Sequence, residues 1–210
     1  LLTDGTHVID LICFFVDDSP VNWVIGQIEA REKRKRYGHY VEDAAICYIE
    51  FKNGIRAFVE VSSLSRYSAK MKPGSIGRTE ETLYKDVKRL FAIDWWKIGS
   101  HYNSVYIYGT EGRIEVGERL NPPLRLKGKG DADWRVPPLE KEDIDPYKKE
   151  IEALVRWIEE GKEHPCSGRK SRQVMEIIMA TFESSRRREI VLFPVEVKKN
   201  PLEMIIEERV

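Results

Sequence analysis

"DAAICYIEFKNGIRAFVEVSS", residues 43–63, holds two runs rich in β-branched and aromatic residues on either side of Lys52-Asn53-Gly54. Asn-Gly supplies the positive φ angles of a type I′ turn, so the stretch predicts two antiparallel strands joined tightly. A second hairpin is expected in "SVYIYGTEGRIEV", residues 104–116, with Glu111-Gly112 near its turn. "PPLRLKG" (122–128) and "DWRVPP" (133–138) read as shorter strands whose prolines, lacking an N–H, suit a sheet edge.

Around these strands the spacing changes. In "TDGTHVIDLICFF", residues 3–15, Val8, Leu11, Ile12 and Phe15 stand at i, i+3, i+4, i+7, which predicts a helix with a buried stripe, closed by Ser19-Pro20. Residues 21–30 alternate loosely and read as a strand. Downstream, Asp145-Pro146 opens a helix through "PYKKEIEALVRWIEEG" that Gly161 stops. A second helix, "RKSRQVMEIIMATFESSRRR" (169–188), carries Val174, Ile177, Ile178 and Thr181 on one face, and "EIVLFPVEV" (189–197) reads as a last strand. The fold class is α+β: a mainly antiparallel sheet with helices packed on one face, leaving the other for a partner or a second domain. Residues 1–210 are expected to form a single domain. Residues 64–102 break the pattern with "KPGSIG", a short helix around Glu80–Leu90 and the aromatic cluster "DWWKIGSHY", and read as an insertion or loop-rich segment.

Composition narrows the function classes. Hydrophobic residues at 41% and charged residues at 33% describe an ordinary soluble globular chain. The longest apolar run, Val8 to Val16, is broken by Asp10 and is too short for a membrane span. No secretory or transit segment is visible. Lys plus Arg equals Asp plus Glu at 35 each, so bulk charge does not point to a polyanion. The basic runs Arg31–Arg36 and Arg186–Arg188 lack interleaved aromatics and read as a solvated strand end and a helix C-terminus; no nucleic-acid partner is expected. Cys13, Cys47 and Cys166 show no pairing or metal spacing, which fits a reducing cytoplasm, and no metal site is expected. G-x-S-x-G is absent. His164, between Glu163 and Pro165, is expected to face solvent.

Four motifs in order carry a resemblance. "GTHVIDL" resembles the G-x-H-x-x-D-L helix of the Gfo/Idh/MocA oxidoreductases, the glucose–fructose oxidoreductase and inositol dehydrogenase family. "EDAAICYIEFKNGIRAFVEVS" is similar to that family's central hairpin, and "YIYGTEGRIEV" to its short G-x-x-G hairpin. The stretch from Pro146 to Pro194, with its Ala180…Ser184 spacing, resembles the terminal helix pair and last strand. The resemblance covers most of the chain except roughly 65–102 and the tail after Pro194. It implies the substrate-binding and oligomerisation domain of a two-domain enzyme whose Rossmann half binds NAD or NADP. No G-x-G-x-x-G follows a strand in these residues, so the Rossmann domain is read as absent from this chain.

The same resemblance implies site roles. His7 matches the family histidine that moves a proton during carbinol oxidation, a task suited to an imidazole. Asp10 matches the H-x-x-D carboxylate assigned to substrate contact. The family's partner acid stands four residues before the histidine, where this chain has Thr3; the acid here is Asp4. An i, i+3 pair is still adjacent on a helix, so Asp4 either orients His7 or, like Thr3, caps the helix. Tyr67, Lys97 and His101 are further candidates for touching substrate. The expected function is the substrate half of an NAD(P)-dependent dehydrogenase of a sugar, inositol or related polyol, in a homo-oligomer formed through the sheet face. The alternative is a non-catalytic oligomerisation or sugar-binding domain.

Overall fold

In a computed structural model the described residues are 4–30, 42–62, 104–117, 122–138, 145–196 and 198–209. In chain order they form α1 (Asp4–Phe15), β1 (Val21–Glu29), β2 (Ala44–Phe51), β3 (Arg56–Ser62), β4 (Ser104–Gly109), β5 (Gly112–Gly117), β6 (Leu124–Gly128), α2 (Pro146–Glu160), α3 (Gly168–Arg187), β7 (Val191–Leu192) and α4 (Pro201–Arg209). The chain divides into two compact units: Leu1–Tyr67 with Pro146–Val210, and Ser68–Asp145. The segment 64–102 lies outside the described residues.

The central hairpin forms where its alternation requires, but with a different turn. Gly54 N–H donates to the Phe51 carbonyl and Phe51 N–H to the Ile55 carbonyl, each at 2.9 Å. Within the loop only Gly54 has a positive φ, +84°. This is a three-residue connection closed by a left-handed glycine, rather than the two-residue type I′ turn, and Asn53 instead accepts the Ile55 N–H through Oδ1 at 3.1 Å.

The first unit is a four-stranded antiparallel sheet in the order β3-β2-β1-β7. Period-two alternation sends Ala45, Cys47, Ile49 and Phe51 of β2 into the core with Val24, Ile28 and Val59. Against them pack Ile177, Ile178 and Phe182 of α3, Ile9 and Ile12 of α1 and Ile205 of α4. The expected α3 face, Val174, Ile177, Ile178 and Thr181, is buried throughout. Ser167 caps that helix, and Arg188 ends it in the left-handed region with φ 61°. Gly26 lets the helix come close: a Cβ there would sit 2.6 Å from Thr181 Cγ2 and 3.0 Å from the Ile46 carbonyl oxygen. Strand β7 covers β1 only at Trp23 and Val24. Farther along that edge, the Gly26 and Ile28 N–H groups donate to the hydroxyls of Ser184 and Ser185 at 2.9 and 3.1 Å.

Two sequence expectations are corrected here. Helix α1 buries Ile9, Ile12, Cys13 and Val16, while Leu11 and Phe15 are exposed by 36% and 41%. With apolar side chains on almost every side, packing against α3 chose an arc other than the i, i+3, i+4, i+7 stripe. The last strand spans only Val191–Leu192; Pro194 cannot donate to a ladder, and the chain leaves the sheet there. Helix α2 begins at Pro146 and stops at Gly161, whose φ is +70°, and it leaves Tyr147, Ile151 and Ile158 exposed.

The second unit holds the antiparallel meander β4-β5-β6. Gly109 pairs with Gly112 across a two-residue loop. "DWRVPP" contributes one bridge, Arg135 to Leu126, instead of a strand. Arg125 pairs with Glu115 at 2.5 Å and lies 4.6 Å over the Trp134 ring.

Candidate functional site

Helix α1 begins at Asp4, and the imidazole of His7 reaches solvent from its first turns. At 100° per residue, His7, Leu11 and Phe14 share one flank, and Leu11 and Phe14 are exposed by 36% and 68%. The histidine therefore stands on an apolar, solvent-facing strip opposite the buried Ile9–Cys13 arc. No hydrogen-bond partner holds its ring among the described residues.

Asp10, one turn on, is half-buried on the neighbouring flank. Its charge reaches the segment before α3. The Cys166 thiol is raised first by burial and then by the Asp10 and Glu150 carboxylates. Burial, tempered by a hydrogen bond from Gln173 and reinforced by Asp18 and Asp10, raises Cys13 to about 11. Asp10 is thus near enough to the α2–α3 loop for its charge to act on Cys166, while His7 is exposed.

Of the expected site residues, the structure places His7 and Asp10 on one helix. Thr3, Tyr67, Lys97, His101 and the Asp4 side chain lie outside the described residues.

Sequence reading missed the polar clamp that fixes this helix. Lys170 pairs with Asp18 at 2.5 Å, and Gln173 Nε2 donates to the Ser19 carbonyl at 2.9 Å, tying the end of α1 to the first turns of α3. Neither contact has a local sequence pattern, because the partners are more than 150 residues apart.

His164 is also corrected. It is buried, not solvent-facing. Its Nδ1 accepts the Cys166 N–H at 3.0 Å, which leaves the proton on Nε2 to donate to the Glu150 carbonyl at 3.3 Å. Trp157 stacks beside it, with ring centroids 6.4 Å apart. This imidazole joins α2 to the loop before α3.

The described residues do not fit a dinucleotide cradle. The start of α3 already holds a carboxylate of this chain: Glu163 accepts from the Ser167 hydroxyl at 2.5 Å and from Arg169 at 2.7 Å. A pyrophosphate there would meet like charge. No group of three or more metal-ligating side chains occurs among the described residues. No described helix is long and apolar enough to cross a membrane.

A family model described as "Oxidoreductase family, C-terminal alpha/beta domain" matches residues 1–197. No curated protein matches the chain. Among solved structures, aldose-aldose oxidoreductase from Caulobacter crescentus, complexed with glycerol, superposes with a TM-score of 0.61 at 12% identity, over 90% of this chain and 46% of that one. Levoglucosan dehydrogenase in complex with NADH and levoglucosan gives 0.61 at 20% identity, over 91% and 49%. The WlbA dehydrogenase from Bordetella pertussis, in complex with NADH and UDP-GlcNAcA, gives 0.54 at 16% identity, over 92% and 46%. The chain spans about half the length of these structures, and identities this low show a shared fold.

Proposed function

This chain belongs to the Gfo/Idh/MocA oxidoreductases as their C-terminal alpha/beta domain, and on that premise we propose that it is the substrate-binding half of an NAD(P)-dependent dehydrogenase of a sugar, inositol or related polyol. One observation carries the reading: the His7 ring is exposed at the start of α1, with Asp10 one turn away. The solved neighbours named for aldose, levoglucosan and a nucleotide-sugar acid support the substrate class.

A bound nicotinamide supplies the acceptor for hydride, and its binding belongs to a Rossmann half rather than to the residues described. On this chain, His7 takes the hydroxyl proton of the carbinol as the carbonyl forms. Asp4, three residues before it, orients the ring, and Asp10 accepts a hydrogen bond from a neighbouring substrate hydroxyl. Thr3, Tyr67, Lys97 and His101 are the further candidates for substrate contact. The exposed apolar strip of Leu11 and Phe14 suits a site that another domain closes, where water exclusion strengthens polar contacts to substrate. Residues 1–210 act as one domain carrying an insertion at 64–102, and the free thiols of Cys13, Cys47 and Cys166 fit a cytoplasmic setting.

The second reading is a non-catalytic binding or oligomerisation domain. The absence of a hydrogen-bond partner for the His7 ring among the described residues and the displaced acid at Asp4 favour it. Substituting His7→Ala in the protein joined to its nicotinamide-binding half separates the two. Under the catalytic reading kcat falls about a hundredfold or more, the range for losing a general acid–base, while folding is unchanged. An unaltered rate overturns it.

A further inference from the structure

Helix α1 has two arcs on which it could pack. The buried Ile9, Ile12, Cys13 and Val16 lie along one side of it. A roll of about 50° would instead set Val8, Ile9, Ile12, Phe15 and Val16 against the core. That second arc is apolar throughout and exchanges the small Cys13 for Phe15, which is exposed by 41% as the helix stands. Apolar burial by itself therefore does not favour the observed roll. The same change would swing the tip of His7, about 6 Å from the helix axis, through about 5 Å.

A polar side chain of α3 distinguishes the two arcs. Gln173 Nε2 donates to the Ser19 carbonyl at 2.9 Å and to Cys13 Sγ at 3.8 Å. One acceptor is on the helix and the other beyond its end, so a roll that carries Cys13 outward breaks the pair. Lys170, one turn earlier on α3, holds Asp18 at 2.5 Å. Between these anchors the chain turns through Asp17 and Asp18 at φ 57° and 50°, a left-handed region that residues other than glycine seldom enter. The turn is thus held from α3, at the point where α1 ends.

We propose that Gln173 is a positioning residue for His7 and Asp10: by bonding Cys13 and Ser19 together, it selects the roll of α1 that presents those two side chains at the site. Lys170 braces the same end of the helix. The catalytic consequence rests on the redox reading of His7; the roll does not. A roll of only about 10° displaces a side-chain tip by about 1 Å. A misplacement of about 1 Å in a reacting group costs up to about a hundredfold in rate. One amide, far from the chemistry, thereby sets the geometry of proton transfer.

The test reads the roll through the thiols of the full chain. Gln173→Leu keeps the side chain's bulk and removes its donor. Labelling by iodoacetamide, followed residue by residue by mass spectrometry, should then run about fivefold faster at Cys13, the population change for losing one ordinary hydrogen bond. Loss of the bond without a roll would do the opposite, because the hydrogen bond from Gln173 draws the Cys13 thiol down and its removal leaves less reactive thiolate. Cys47, buried on β2, is the control, and its rate should not change. Lys170→Met should act on Cys13 in the same direction without touching either sulfur. In the protein joined to its nicotinamide-binding half, Gln173→Leu should lower kcat about tenfold and add nothing to His7→Ala. An unchanged or slower Cys13 overturns the proposal, as does equal acceleration of Cys13 and Cys47, which would mean general loosening. Additive losses with His7→Ala overturn the positioning role. If His7→Ala leaves the rate unaltered, the redox reading falls, while the Cys13 and Cys47 rates still decide the roll.

Discussion

The Ser185 hydroxyl accepts the backbone N–H of Ile28 at 3.1 Å, across 157 residues of sequence, and Ser184 does the same for Gly26 at 2.9 Å. Two adjacent side chains of a helix thereby stand in for a neighbouring strand where β7 has ended. Ser184 also donates to the Glu189 carbonyl at 2.6 Å, so it links sheet, helix and the chain leaving the helix.

Ser185→Ala should leave a buried N–H without a partner, since Ser185 and Ile28 are both exposed by only 1%. The expected loss is about 1–3 kcal/mol, the cost of an unsatisfied buried donor. It would appear as a lower urea midpoint with the m-value unchanged. A variant as stable as the parent would mean that the N–H finds another acceptor.

Gly26→Ala should destabilise through contact with Thr181 Cγ2, 2.6 Å from the new methyl. Overpacking of this kind costs about 1–3 kcal/mol. Adding Thr181→Ser removes that methyl while keeping the hydroxyl that donates to the Ile177 carbonyl at 2.8 Å. The double variant should recover part of the loss, not all, because the Ile46 carbonyl oxygen stays 3.0 Å away. Equal stability of the single and double variants would place the strain elsewhere.

Glu163 should govern part of the acid limb of stability. Hydrogen bonds from Arg169, then from Ser167, hold its carboxyl at about 2, against an ordinary 4.5. The folded state therefore binds this proton less readily than the unfolded chain. Its stabilising contribution is complete above pH 4.5 and is lost as pH falls toward 2. Urea midpoints followed from pH 6 downward should fall less steeply in this window for Glu163→Gln than for the parent. Parallel curves would remove the assignment.

Much of the fold was legible in the residues themselves. The β-branched and aromatic runs flanking Asn53-Gly54 marked β2 and β3 as paired antiparallel strands. Pro146 and Gly161 bounded α2, and the spacing of Val174, Ile177, Ile178 and Thr181 marked the buried side of α3. The turn at Asn53-Gly54 was placed correctly but typed wrongly, since both the two-residue and three-residue loops accept a left-handed glycine at that point. His164 was misread because a histidine beside a proline in a loop carries no local mark of burial; its partners, Glu150 and Cys166, lie on a helix and the loop that only tertiary folding brings together.

By itself the sequence determined most of the order of elements up to α3, though not the helix α4 (Pro201–Arg209), and the presence of His7 and Asp10 on one helix. Tertiary structure alone decided which arc of α1 is buried. That helix is apolar at Val8, Ile9, Leu11, Ile12, Phe14 and Phe15, so its periodicity does not single out one side. Contact with α3 and the sheet selected Ile9, Ile12 and Cys13, and in doing so turned His7 outward beside Leu11 and Phe14. Local spacing encodes a periodic pattern; the direction that pattern faces depends on neighbours distant in sequence.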